Sequence, residues 1–139
     1  HRSFDDFTLE IDASMIEPGK DSWVIIACRT DYWGNGYQFM ISPEGNYAIA
    51  VQHNTKTQEF LYESSYSEHL KTGKRAVNQI RIECIGSDIS LYANENLLAE
   101  FEDHTFTSGA LGLGVLTASG TNTAEAMFDN LIITAPLDE

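Results

Sequence analysis

The sequence is short of positive charge, of cysteine and of any sustained helical pattern, and each shortage narrows what it encodes. Lys and Arg number 8 against 21 Asp and Glu, a net charge of −13 over 139 residues. Phosphate backbones are held by clustered cations, and no basic stripe occurs, so no nucleic-acid partner is expected. The same balance disfavours anionic lipid. No apolar run approaches the ~20 residues of a membrane span, so no membrane insertion is expected. No N-x-[ST] sequon occurs. Neither cysteine lies in a C-x-x-C, which removes the usual zinc and thioredoxin patterns. No G-x-S-x-G elbow positions a serine nucleophile. His1, His53, His69 and His104 show no paired spacing for a metal. No glycine loop cradles phosphate, because Gly112-Leu113-Gly114 sits inside an apolar strand pattern.

What is present is alternation. The hydrophobic fraction of 42% is enough for one core in one domain. The dominant period is two, and it predicts strands over Phe7–Ile16, Ser22–Thr30, Gly36–Ser42, Asn46–Gln52, Glu59–Ser64, Val77–Ile85, Asp88–Ala93, Leu97–Glu102, Ala110–Leu116 and Ala124–Thr134. Turn residues divide them: Pro18-Gly19, Pro43-Glu44-Gly45-Asn46, Gly86-Ser87-Asp88 and Asn94-Glu95-Asn96. Ser65–Arg75 is short and polar and reads as a loop. Short strands, tight turns and almost no helix predict an all-β, antiparallel two-sheet sandwich over residues 1–135, with 136–139 as an exit segment.

The same alternation assigns faces. Phe7, Leu9, Ile11, Val24, Ile26, Tyr37, Phe39, Ile41, Ile80, Ile82, Leu91, Leu111, Leu113, Val115, Phe128 and Leu131 are expected in the core. Glu10, Asp12, Arg29, Gln38, Met40, Arg81, Glu83, Ser90 and Tyr92 are expected on the opposite faces. Cys28 and Cys84 fall on apolar faces, 56 positions apart. Spacing leaves two readings open, a buried disulfide or two core thiols.

Sugar recognition needs planar aromatics for C–H faces and polar groups for hydroxyls. The loop "DYWGNGY", residues 31–37, offers Tyr32, Trp33 and Asn35. Arg29, Gln38, Arg81, Glu83 and Tyr92 are expected to line the adjoining sheet face. The competing reading makes the aromatics an edge cap and the Arg29, Arg81 and Glu83 group a cross-strand ion pair.

The runs "FTLEIDA", "VIIACRTDYWGNGYQFMISPEGNYAIA", "VNQIRIECIGSDISLYANENLLAEFEDHTFTSGALGLGV" and "AMFDNLIIT" cover most of the chain. Together they resemble the concanavalin A-like, laminin-G-like jelly-roll domains of secreted or membrane-anchored bacterial proteins, including outer regions of some bacterial serine/threonine kinases and lipoproteins. The resemblance implies an extracellular or cell-surface location. It also implies a Cys28–Cys84 disulfide, since members often carry both cysteines. Domains of this broad class often hold a structural Ca²⁺, for which Asp129 is the best-placed carboxylate, with Asp5, Asp6, Asp103 and Asn130 as further candidates. No other cofactor is expected. Laminarinase-type glucanases of this fold carry Glu-x-Asp-x-(x)-Glu on one strand. Glu10 and Asp12 fill two places, but Ser14 and Met15 stand where the third acid belongs, and Glu17 comes too late.

The sequence departs from the resemblance in one respect. In such domains the strand matching Phe7–Ile16 follows about 40 residues of earlier strands, one of them beside the last strand. The chain opens instead at His1, inside sequence that reads as structured. This leads us to expect a processed product or a piece of a longer polypeptide. It also leads us to expect an apolar edge that another strand would complete.

The expected function is a non-catalytic binding module for a glycan or protein ligand. The first alternative is a self-assembling structural subunit, a fibre or surface layer, completed by strand addition between copies. The second is a glycoside hydrolase.

Overall fold

The computed structural model describes residues 5–17, 21–54, 56–117 and 123–135. Among these are ten strands: β1 (Phe7–Glu17), β2 (Ser22–Thr30), β3 (Gly36–Ile41), β4 (Asn46–His53), β5 (Thr57–Tyr66), β6 (Val77–Ile85), β7 (Asp88–Ala93), β8 (Asn96–Glu102), β9 (Ala110–Thr117) and β10 (Glu125–Thr134). Each overlaps a segment expected from alternation, and β5 runs on into what reads as loop. No helix among the described residues is long and apolar enough to cross a membrane. The Pro18-Gly19 turn and the exit segment lie outside the described residues.

The strands form two five-stranded sheets, sheet A in the order β10-β1-β6-β7-β8 and sheet B in the order β5-β4-β3-β2-β9. Every pairing is antiparallel. Tight turns join β3 to β4, β6 to β7 and β7 to β8. Gly45, Gly86, Asn94 and Glu95 all take positive φ there, the geometry such hairpins need. The result is a concanavalin A-like jelly roll.

The inward residues of both sheets make one core, including Phe7, Leu9 and Ile11 of β1, Val24 and Ile26 of β2, Phe39 of β3, Ile49 of β4, Ile80 and Ile82 of β6 and Leu91 of β7. Full burial of each such side chain contributes about 1.5–3 kcal/mol. One end of the sandwich is closed by the segment after β8. Tyr37 stacks edge-on with Phe106, donates its hydroxyl to Asp103 Oδ1, and accepts from Phe106 N at 3.2 Å. The other end is closed by the segment after β5, where Leu70 is buried and Asn78 holds both Lys71 N and Lys71 O.

The side where β9 and β10 form the sheet edges differs. Leu113 and Val115 pair with core-facing Ile26 and Val24, and Ile133 pairs with core-facing Leu9. All three point inward, yet they are 44%, 39% and 39% exposed. Leu131, also expected in the core, is 49% exposed at a β10 irregularity where Asn130 has positive φ. The parity read from the sequence is right for Leu113 and Val115. What no alternation reveals is that the neighbouring edge stays uncovered.

Candidate functional site

The outer face of sheet B is built from the positions that alternate with its core. Paired residues share a side, so two rows cross the sheet: Ala27–Gln38–Ala50–Phe60 and Ile25–Met40–Ala48. A third row begins with Gly36, Gln52 and Gln58. Gln58 Nε2 donates to Gln38 Oε1 at 3.1 Å. Their strands flank β4, so this amide pair spans it, and Ala50 beneath is fully buried although it faces outward.

The β2–β3 loop borders these amides and is tightly folded. Asp31 Oδ1 accepts from Trp33 N at 2.9 Å and Asn35 N at 3.1 Å, while Asn35 Nδ2 donates to Asp31 Oδ2 at 2.8 Å. These bonds, with Asn35 first, hold the Asp31 carboxyl below its ordinary pKa. Gly36 has φ +147, and a Cβ there would meet Thr30 Cγ2 at 2.8 Å, so the sharp re-entry into β3 requires glycine. Asn35 Oδ1 also accepts from Asn54 N at 3.0 Å. The loop presents Tyr32 and Trp33 edge to face, with ring centroids 5.4 Å apart, 92% and 69% exposed. The same loop, through Asp31 and Asn35, helps line a depression of about 340 Å³ together with Gln38 and Gln52.

The structure thus brings together Asn35 and Gln38 of the expected site in one depression, with Tyr32 and Trp33 exposed on the loop that carries Asn35. It places Arg81, Glu83 and Tyr92 elsewhere, on the outer face of sheet A. Arg81 Nε lies 3.4 Å from Glu83 Oε2 on its own strand, and its guanidinium covers the Tyr92 ring at 3.9 Å. Glu83 and Tyr92 border a second depression of about 510 Å³, with Asp88, Glu100 and Glu102 around it. Glu10 and Asp12 share this face, opposite Arg81 and Gln79. Ser14 and Met15, at the positions where the glucanase motif has its third acid, are both buried.

Arg29 is on neither face. It is 2% exposed. Its Nη2 donates to Asp5 O at 2.7 Å, its Nη1 to Gly86 O at 2.8 Å and Phe106 O at 3.1 Å, and Asp6 lies 3.6 Å away. It staples the approach to β1, the β6–β7 turn and the segment after β8, and no ligand reaches it. The expected outward placement fails because Arg29 itself has φ +52, which turns it inward beside core-facing Cys28. Gly109 packs on this kink so closely that a Cβ would lie 2.4 Å from Arg29 C.

The calcium candidates do not converge. Asp129 and Asp12 are register partners, but Asn130 already donates to both, at 2.8 and 2.7 Å. Asp6 accepts from Gly86 N at 2.8 Å, and Asp103 is held by Tyr37 and Thr105. Among the described residues no three His, Cys, Asp or Glu side chains gather as a metal would require.

Cys28 and Cys84 meet across the two sheets as buried thiols with sulfurs 2.9 Å apart. Burial, and then the shared hydrogen bond, pushes the Cys28 thiol well above its ordinary pKa.

The family model for the 3-keto-alpha-glucoside-1,2-lyase-like domain matches residues 1–134. The chain belongs to this family. Among solved structures, this lyase-like domain is similar to the carbohydrate-binding module CBM66 from Bacillus subtilis, at 18% identity and TM-score 0.80, over 96% of this chain and 78% of that one. It is also similar to sheep galectin-11 in complex with glycerol (10% identity, TM-score 0.66, 93% of this chain and 90% of that one). Chicken galectin 2 is a third (12% identity, TM-score 0.60, 92% and 89%). At these identities the likeness establishes the shared jelly-roll fold. No curated protein matches.

Sequence reasoning missed Trp23, Gln52, Gln58 and Phe60 on the sheet B face. For Trp23 the signal was there: it is out of phase with Val24, Ile26 and Cys28, so it faces outward.

Proposed function

We propose that this lyase-like domain is a non-catalytic, extracellular glycan-binding module whose site is the outer face of sheet B. One observation carries the reading: the amides of Asn35, Gln38 and Gln52 line a depression, Gln58 is hydrogen-bonded to Gln38, and the loop that supplies Asn35 also carries the exposed Tyr32–Trp33 pair. Amides donate and accept at once, which suits neutral hydroxyls, and aromatic faces suit the C–H face of a sugar. The net charge of −13 fits neutral rather than anionic glycans. The similarity to CBM66, a carbohydrate-binding module, supports a saccharide ligand for a domain of this shape. A glycan array followed by calorimetry tests it. Binding weakened by Trp33→Ala and Gln38→Ala supports the site; binding indifferent to both overturns it.

The family description names a lyase, so the non-catalytic part needs its own test. Incubation with a 3-keto-α-glucoside should leave the substrate intact. Turnover lost in Glu10→Gln would overturn it. The Cys28–Cys84 disulfide belongs with the extracellular reading, since oxidising compartments join such thiols. Intact mass before and after reduction and alkylation distinguishes bridge from thiols.

A second reading is favoured by the uncovered edge. Leu113, Val115 and Ile133 point inward yet lie open to solvent, and an added strand would cover them. A chain that assembles with its own copies would scatter light as a particle well above 15.5 kDa. A concentration-independent monomer would remove this reading.

A further inference from the structure

We propose that the ligand is an amphiphilic glycoside, a sugar carrying an apolar aglycone, and that Trp23, Met40 and Phe60 hold the aglycone. The inference rests on the sheet B face being the sugar site. A separate depression of about 400 Å³ lies on that face, lined by Trp23, Met40, Phe60, Glu63 and Ser64. It shares no lining residue with the amide depression, but adjacent positions of the same strands link the two. Gln38 and Met40 are two residues apart on β3 and point the same way, which separates them by about 7 Å. Phe60 shares a cross-strand row with Gln38. A ligand whose sugar meets the amides therefore extends over Met40 and Phe60 within one bond or two of its ring.

The chemistry changes along this short path. At the amide end every large side chain offers hydrogen bonds. At the other end Met40 lines the depression, with Ala48 next to it in the row, both facing outward, yet 5% and 2% exposed. They are shielded by their neighbours, while Phe60 remains 44% exposed. The polar side-chain groups there are those of Glu63 and Ser64 and the single indole N–H of Trp23. A second sugar there would lose water from its hydroxyls with few partners to replace it. A flat apolar group loses nothing of that kind and covers Trp23 and Phe60. The aglycone should be neutral, since Glu63 stands at the pocket and the chain is strongly acidic.

The two tryptophans make a clean test. Trp23 sits in the apolar depression and Trp33 in the loop. With Trp23→Phe the fluorescence reports the loop, and with Trp33→Phe it reports the apolar end. The probes are methyl and phenyl glycosides of a panel of neutral hexoses, together with the corresponding disaccharides. The expected result is that the phenyl glycoside binds about tenfold more tightly than the methyl glycoside of the same sugar, the order of gain from covering a ring's area. Trp23 emission should shift with phenyl but not methyl glycosides. Phe60→Ala, on an edge strand, should erase the gain and leave methyl glycoside binding alone. Equal affinity for phenyl and methyl forms, or a preference for disaccharides, overturns the amphiphile and leaves the glycan site standing. Free phenol binding as tightly as its glycoside overturns it too. No response from any probe overturns both.

Discussion

The outward positions of sheet A carry Glu10, Asp12, Arg81, Glu83, Ser90 and Glu100; those of sheet B carry Trp23, Ile25, Ala27, Gln38, Met40, Ala48, Ala50 and Gln52. Both sheets have the same number of strands around the same core. They differ in what must be stripped of water before a ligand can touch them. A carboxylate gives up hydration only at a cost of several kcal/mol unless a cation replaces it. An amide, an alanine or a tryptophan gives it up cheaply. The larger depression lies on sheet A, but its acidic wall keeps its water, so depth alone does not mark the site. The face of sheet B, with fewer carboxylates, loses less on closing over a neutral ligand.

The largest expected effect comes from breaking what both faces share. Arg29→Ala removes a buried guanidinium and strands the carbonyls of Asp5, Cys84, Gly86 and Phe106. We expect a loss of about 3 kcal/mol or more in urea unfolding. Next come changes that make sheet B less able to bind. Trp33→Ala or Gln38→Ala should cost about tenfold in ligand affinity by calorimetry, or ~1.4 kcal/mol, with the melting temperature nearly unchanged because both side chains lie outside the core.

A smaller effect is expected at the end of the sandwich that both sheets meet. Burial tends to raise the Asp103 pKa, but hydrogen bonds from Tyr37 and Thr105 outweigh it, and the carboxyl ends below its ordinary value. A depressed carboxyl adds stability that is present above its unfolded pKa and lost as pH falls through the folded one. Burial, then the bond to Asp103, pushes the Tyr37 phenol up, so its contribution is lost as pH rises beyond its unfolded value of about 10. Asp103→Asn should flatten the acid limb of a stability–pH curve measured by thermal melts. The smallest effect sharpens the contrast between faces. Glu10→Gln should change affinity less than twofold and stability by no more than about 0.5 kcal/mol. A large loss of binding would move the site to sheet A.

Much of this architecture was legible in the residues. Alternation located the ten strands, because hairpins with Gly or Asn at the turn leave the parity of each strand intact. It assigned Gln38 and Met40 to the outer face for the same reason. It failed at Arg29, where one residue at positive φ breaks the parity and buries two neighbours in succession. It also could not say which outward residues share a sheet. Arg81, Glu83 and Tyr92 belong with Gln38 by parity alone, and only the strand order sends them to opposite sides of the sandwich. The openness of β9 and β10 depends on what lies next to an edge, which no single strand's sequence encodes.

The strand order also has a consequence for how the chain is made. In sheet A, β1 lies between β10 and β6, and Asp12 meets Asn130 across 118 positions. The hairpins from β2 to β5 and from β6 to β8 close as soon as each is synthesised. At the usual ~5–20 residues per second, β1 waits several seconds for its first partner and longer for its second. Through that interval Phe7, Leu9, Ile11 and Met15 have no sheet to join. A nascent chain paused before Val77 should therefore recruit chaperones through β1, and release them once β6 leaves the ribosome.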